Sequence, residues 1–287
     1  MIISAPHRLG MACLPLTAAL LTAASAPSAH AQISFVNMFR NVSATQTGNG
    51  NTLASTGAFF STSLTSVNPG DFSAVTMTYP GPGSPTSLPQ TSATSFTLQT
   101  GQFPTQAAMD TAFPTGTYTY NTTGGTQGTA TTNFSYAADH YASAQPFLTG
   151  TDYSALQGAN AATPLTVHFS PFATDPSVTS QFEFFTIFDT SLNTFVYDAG
   201  FLPHTTSSVT VAAGTLQPGH NYIYELDDSN RLNVSSPGAN FPAQIGYDLR
   251  TNGTFTTAPA ATPEPGTLAL LLTGGIGGSL ILRRRRR

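Results

Sequence analysis

The chain has 287 residues and a formal net charge of −4, yet only 8% of its side chains are charged, against about 25% in typical soluble domains. It contains no Lys, and its polarity rests on Ser, Asn, Gln and 46 Thr. With 40% apolar residues a packed core is within reach, which excludes a charge-driven disordered chain. The low basic content excludes a nucleic-acid binder, and the lack of an interior apolar run of ~18 residues excludes a polytopic membrane protein.

Residues 1–10 carry His7 and Arg8, Met11 to Ala24 is apolar, and Ala29-His30-Ala31 offers an A-x-A exit. These are the three parts of a secretory signal peptide, and cleavage is expected after Ala31. As a helix the apolar run would span about 21 Å, short of the ~30 Å hydrocarbon core. The single Cys13 would leave with the peptide. The mature chain would then have no disulfide, thiol nucleophile or Cys-ligated metal.

Between Gln32 and Thr262 stand three cations (Arg40, Arg231 and Arg250) against twelve acids, a net charge of −9. Such a surface disfavours phosphate backbones and anionic lipid but tolerates divalent cations and neutral sugars. The predicted class is all-β, in two parts. Residues 32–145 form a thin Thr/Gly-rich β region with weakly alternating strands at Gly57–Thr65, Phe72–Tyr79, Ser95–Thr100, Thr115–Asn121 and Ala130–Tyr136. Low-complexity disorder is the alternative for this half. Only Thr105 to Ala112 reads as helical, capped by Thr105 and ended by Pro114.

Residues 146–257 are better patterned. Strands are predicted at Leu165–Phe169, Gln181–Asp189, Thr194–Asp198, Ser207–Ala212, Asn221–Leu226 and Gln244–Leu249, with a further one at Thr254–Thr256. In Leu216-Gln217-Pro218-Gly219-His220-Asn221-Tyr222-Ile223-Tyr224 a Pro-Gly turn leads into a strand with Tyr222 and Tyr224 on one face. This stretch resembles the approach to strand F of fibronectin type III and immunoglobulin-like domains. The resemblance implies a β-sandwich in which the Tyr222 hydroxyl returns to upstream backbone as a tyrosine corner. With no Cys pair and no Trp for the core, Phe182, Phe184 and Ile187 would have to fill it.

Chemistry-bearing motifs are scarce. His140, His168, His204 and His220 lack a close ligand spacing and read as surface or satisfied strand residues. Asp227-Asp228-Ser229-Asn230, with Glu225 just before, packs oxygen donors as Ca²⁺ requires. The competing reading, and the one adopted, is a polar hairpin turn after Leu226. Glu225, Asp227 and Asp228 remain weak metal candidates, Ca²⁺ being the ion they would suit; no other cofactor and no catalytic residue is assigned. A glycosidase pair such as Asp189 and Asp198 is read instead as strand-end residues.

Residues 258–287 form a separate element. Pro263-Glu264-Pro265 precedes an apolar segment at 266–282, which ends on Arg283, Arg284, Arg285, Arg286 and Arg287. A helix of 16 residues, Thr267 to Leu282, would span about 24 Å, a marginal crossing aided by snorkelling Arg side chains. The cations would hold that end in the cytoplasm. The arrangement resembles the PEP-CTERM sorting signal of Gram-negative bacteria, although Thr262 stands where that family often has Val. The resemblance implies export through the secretion translocon, a membrane-tethered precursor, and processing near the motif by an exosortase. It also implies a final place in the cell envelope, on the surface or outside the cell, alongside exopolysaccharide. The expected function is a non-enzymatic structural one in envelope or matrix. One alternative is a carbohydrate- or Ca²⁺-binding surface module, in which exposed Tyr and amide side chains would contact sugar; a polysaccharide hydrolase is a further one. No nucleic-acid partner is expected.

Overall fold

A computed structural model describes residues 33–172, 175–234 and 241–260. The signal-peptide segment with Ala29 and Ala31, the motif at Pro263, Glu264 and Pro265, the segment 266–282 and the arginines Arg283 to Arg287 lie outside the described residues. Among the described residues no helix is long and apolar enough to cross a membrane.

The elements run β1 (Ile33–Gln46), β2 (Leu53–Ser66), β3 (Ala74–Thr78), β4 (Thr86–Leu88), β5 (Ser95–Gln99), α1 (Gln106–Ala112), β6 (Gly116–Thr123) and β7 (Ala130–Tyr136). They continue with α2 (Asp152–Leu156), β8 (Leu165–His168), β9 (Ser180–Asp189), β10 (Thr194–Asp198), β11 (Leu202–Pro203), β12 (Ser208–Val211), β13 (Asn221–Val234) and β14 (Ala243–Thr256). The described residues are all-β apart from two short helices. Thr105 caps α1 by accepting from the Ala108 amide at 3.1 Å, and the helix stops at Phe113, before Pro114.

One large sheet has the order β10-β9-β13-β14-β1-β2-β5, with β11 added beside β9. Within it β1 runs parallel to β14, and the other neighbours are antiparallel. Four of its strands, β1, β2, β13 and β14, have 14 residues each. At about 3.3 Å per residue such a strand is roughly 46 Å long, more than twice the usual five or six residues. That length lets one sheet back two separate cores.

The first core lies between the β1–β2–β14 part of this sheet and a second sheet ordered β4-β3-β6-β7. It buries Val36, Met38, Phe60 and Leu64 from the long sheet against Val75, Met77, Tyr118, Tyr120 and Phe134. Phe113, just beyond α1, stacks on Phe60 with ring centroids 4.1 Å apart. The second core lies between β9–β13 and the small β12-β8 sheet, and contains Phe185, Ile187, Tyr222, Tyr224, Leu226, Val167 and Val211. β14 serves both: Ala243, Ile245 and Tyr247 enter the first core, and Phe255 enters the second. Gln46, at the end of β1, joins them. Its side chain donates to the Leu148 carbonyl and accepts from the Leu148 amide and the Tyr224 hydroxyl, all within 3.0 Å.

Three expectations change. Asp227-Asp228-Ser229-Asn230 is no turn: it is the middle of β13, which runs on to Val234. The polar cluster marks where the strand passes from one core to the other. Phe182 and Phe184 do not fill the core, because the β9 register turns Glu183, Phe185 and Ile187 inward and those two rings outward. β1, assigned no strand above, alternates inward Val36, Met38 and Arg40 with outward Asn37, Phe39 and Asn41. The break at 145/146 separates the second layers of the two cores, whereas the large sheet takes strands from both sides of it.

Candidate functional site

The midpoints of β13 and β14 carry most of the charge of the long sheet, and strand alternation sorts it onto two faces. Glu225, Asp227, Ser229 and Arg231 face away from the cores, opposite Asn252, Arg250, Asp248 and Gly246. Asp228 and Asn230 face inward, beside Glu183 and Gln181 of β9. The weak metal candidates Glu225, Asp227 and Asp228 are therefore not one cluster, and Asp228 points to the other side of the sheet.

On the outer face the acids are matched by arginines. Arg231 Nη1 lies 2.7 Å from Asp248 Oδ1, which also accepts from the Ser229 hydroxyl at 2.7 Å. Arg250 Nε stands 3.1 Å from Asp227 Oδ2, with Glu225 and Asp248 also within 4 Å of its guanidinium. The Arg231 guanidinium covers the Phe39 ring at 4.4 Å and that of Arg250 covers Phe59 at 5.6 Å. Burial, followed by Asp248, pushes the Asp227 carboxyl well above the ordinary carboxylate range, and Arg250 opposes the shift. Burial alone would lower the Arg250 pKa; Asp227, Asp248 and Glu225 outweigh it and raise it. This arrangement fixes the sheet midpoint and leaves little charge to offer a ligand.

Next to it the same face turns apolar. Thr186, Phe188, Phe195, Ile223, Glu225 and Asn252 line a groove of about 270 Å³. The Phe188 and Phe195 rings meet edge to face at 5.1 Å, and Phe195 remains 66% exposed. Further along β9, Phe201 is 71% exposed and packs edge-on against Phe182 and Phe184 at 5.2 and 4.8 Å. The result is an aromatic strip flanked by Glu225, Asn252 and Arg250. Few tyrosines are available to such a surface: Tyr118, Tyr120, Tyr222, Tyr224 and Tyr247 are fully buried. Among the described residues the large hydrophobic rings left exposed are those of Phe195 and Phe201.

On the inner face Glu183 and Asp228 sit directly opposite one another, with 0% and 2% of their surface exposed. Burial, and then Asp228, pushes the Glu183 carboxyl up to about 9; burial, and then Asp248, pushes Asp228 up to about 7. Glu183 was missed in the sequence: period-2 alternation in Gln181-Phe182-Glu183-Phe184-Phe185 puts it on the same face as Phe185, and the pairing with β13 is what makes that face the inner one.

The remaining acids and histidines act locally. Asp189, at the end of β9, accepts from the Ser191 and Leu192 amides and contacts His220 Nδ1 at 2.9 Å. Asp198 accepts from the Gly200 amide. The two lie at opposite ends of the β9–β10 hairpin on opposite faces, so they cannot flank one glycosidic bond as a glycosidase pair does. His168 pairs with Asp152. Ser177 and Asp175 both approach the same nitrogen of His140, Nδ1, at 2.9 and 3.2 Å; a triad needs serine and aspartate on different ring nitrogens. The Tyr222 hydroxyl accepts from the Gln217 amide at 2.7 Å and donates to the Gln217 carbonyl at 3.2 Å, the return to upstream backbone anticipated above.

No family model matches the chain, and no curated protein does. Among solved structures it is similar to the BSP domain of a biofilm-associated protein, at 13% identity and a TM-score of 0.19 over 72% of this chain and 28% of that one. It is similar to the FN1–FN3 domains of chicken CNTN1 at 11% identity and a TM-score of 0.25, over 71% of this chain and 64% of that one. It is also similar to a Ca²⁺-stabilized adhesin that helps an Antarctic bacterium bind ice, at 13% identity and a TM-score of 0.23, over 79% of this chain and 49% of that one. The chain spans less than two thirds of the length of each.

Proposed function

We propose that this is an exported protein of the cell envelope or extracellular matrix with a non-enzymatic, structural role. Export rests on the two terminal signals: a cleavable peptide ending at Ala31, and the Pro263-Glu264-Pro265 motif followed by 266–282 and Arg283 to Arg287. The precursor is tethered in the inner membrane and handed from the translocon to an exosortase-type enzyme. Residues 146–257 form its immunoglobulin/fibronectin-like sandwich, with β12–β8 in one layer, β10–β9–β13–β14 in the other, and Tyr222 as its tyrosine corner.

The observation that carries the structural role is how the outer sheet face is used. Its charges are paired with one another, while what it presents to solvent is the strip of Phe182, Phe184, Phe188, Phe195, Phe201 and Ile223, the kind of surface that meets other molecules. Changing Pro263-Glu264-Pro265 to three alanines is expected to leave an uncut precursor in the membrane fraction, read by mass analysis of the mature termini. Normal maturation of that variant ends the sorting assignment.

The groove favours a second reading, a carbohydrate-binding module for neutral exopolysaccharide. Rings at Phe188 and Phe195 would cover sugar faces while Glu225 and Asn252 supply hydrogen bonds. Calorimetry should then give heat with the wild type that disappears in Phe195→Ala/Ile223→Ala. No heat with the wild type leaves the structural role alone.

A further inference from the structure

We propose that Glu183 and Asp228 hold a divalent, oxygen-seeking cation, Ca²⁺ in the first place, between β9 and β13. The site is distinct from the aromatic groove, lies on the opposite side of the sheet, and does not depend on the surface reading.

The argument begins with the register. Glu183 and Asp228 are directly paired across antiparallel strands, which sets their Cβ atoms about 4.5–5.5 Å apart on one face. Both Glu183 oxygens and Asp228 Oδ2 are buried and have no hydrogen-bond partner among the described residues. No ion pair of the described residues involves either carboxyl. Arg231 and Arg250, the nearest cations along β13 and β14, face away and are committed to Asp248 and Asp227.

Two facing carboxyls, withdrawn from water and with three of their four oxygens lacking a hydrogen-bond partner among the described residues, are expensive to bury unless something positive lies between them. The surroundings suit a hard cation. On one side the register places Phe185 and Leu226, which exclude water; on the other it places Gln181 and Asn230. The Asn230 side chain is held there by donating to the His140 carbonyl at 2.7 Å and accepting from Gln181 at 2.8 Å. Carboxylate and amide oxygens are the donor set that Ca²⁺ takes, with water completing its six to eight ligands. Among the described residues no third His, Cys, Asp or Glu joins them, which disfavours zinc and similar ions. Because β9 and β13 are central to the second core, an ion here would lock those two strands together.

The test uses the mature protein stripped with EDTA and titrated with CaCl₂, followed by calorimetry and thermal melting. One ion per chain is expected, with a melting temperature that climbs as Ca²⁺ is added. Glu183→Gln/Asp228→Asn should keep its β-type circular dichroism, bind no Ca²⁺, and melt no lower than the stripped wild type, since the buried repulsion is gone. Asp227→Asn, altered on the opposite face, should respond to Ca²⁺ as the wild type does. A stripped wild type that neither binds Ca²⁺ nor shifts in melting overturns the proposal and leaves a proton in the ion's place. A double variant that still responds, or a response lost only in Asp227→Asn, overturns it too.

Discussion

Replacing Arg40 with Ala is expected to lower the free energy of unfolding by about 3–5 kcal/mol, the cost of breaking a buried ion pair from one side. Arg40 lies on the inner face of β1, with none of its surface exposed, in a core otherwise built from aliphatic and aromatic side chains. Its guanidinium donates to the Phe113 carbonyl at 2.6 Å and to the Tyr136 hydroxyl, pairs with Asp110, and stands 3.1 Å from Asp139. One side chain thus ties α1, the segment that follows it, and the chain beyond β7 onto the long sheet. Burial works to lower the Arg40 pKa, but Tyr136, Asp139, Tyr141 and Asp110 outweigh it, so the cation persists. Removing it strands Asp139, whose carboxyl burial already raises against the pull of Arg40. Urea unfolding checks the prediction. Arg40→Met combined with Asp110→Asn and Asp139→Asn should recover part of the loss, because the whole network is then replaced rather than halved. An Arg40→Ala midpoint equal to that of the wild type would show that the guanidinium holds nothing together.

Much of the strand content was legible because period-2 patterns of Phe, Tyr, Val and Thr are explicit in β6, β7, β9 and β12. The helix at Gln106–Ala112 was legible for a similarly local reason, a Thr cap at one end and a Pro just past the other. What misled was length. A strand that serves one core alternates apolar and polar and then stops, whereas β13 alternates through Tyr222, Tyr224 and Leu226 and then enters the polar gap between two cores. Asp227 to Asn230 therefore look like a turn, and nothing local distinguishes a turn from a strand whose neighbours supply Arg250, Asp248 and Glu183. β1 hid for a related reason: its inward face includes Arg40 and Gln46, which read as exposed until partners distant in sequence are known. The outer face was hidden by a one-residue ambiguity, since in Phe182-Glu183-Phe184-Phe185 either parity gives a plausible core. Only pairing with β13 decides that Phe185 goes in and Phe182 and Phe184 go out.

Gly253→Ala is the second substitution expected to act strongly, by about 1–3 kcal/mol or more, through space rather than backbone strain. Gly253 lies opposite Tyr224 in the β13–β14 ladder. A Cβ there would stand 2.4 Å from the Cε1, Cζ and Oη atoms of the Tyr224 ring. That ring has nowhere to retreat: it stacks on Phe185 with centroids 6.1 Å apart, and its hydroxyl donates to Gln46 at 2.8 Å. The added methyl group must displace the residue that links the end of β1 to the second core, so the loss should include the Gln46 contacts. A double-mutant cycle isolates this cause. In a Tyr224→Ala background the same Gly253→Ala change should cost far less and even become favourable, because Gly is a poor strand residue once its space is free. Equal costs in both backgrounds would mean that the glycine is required for some reason other than the ring that crosses it.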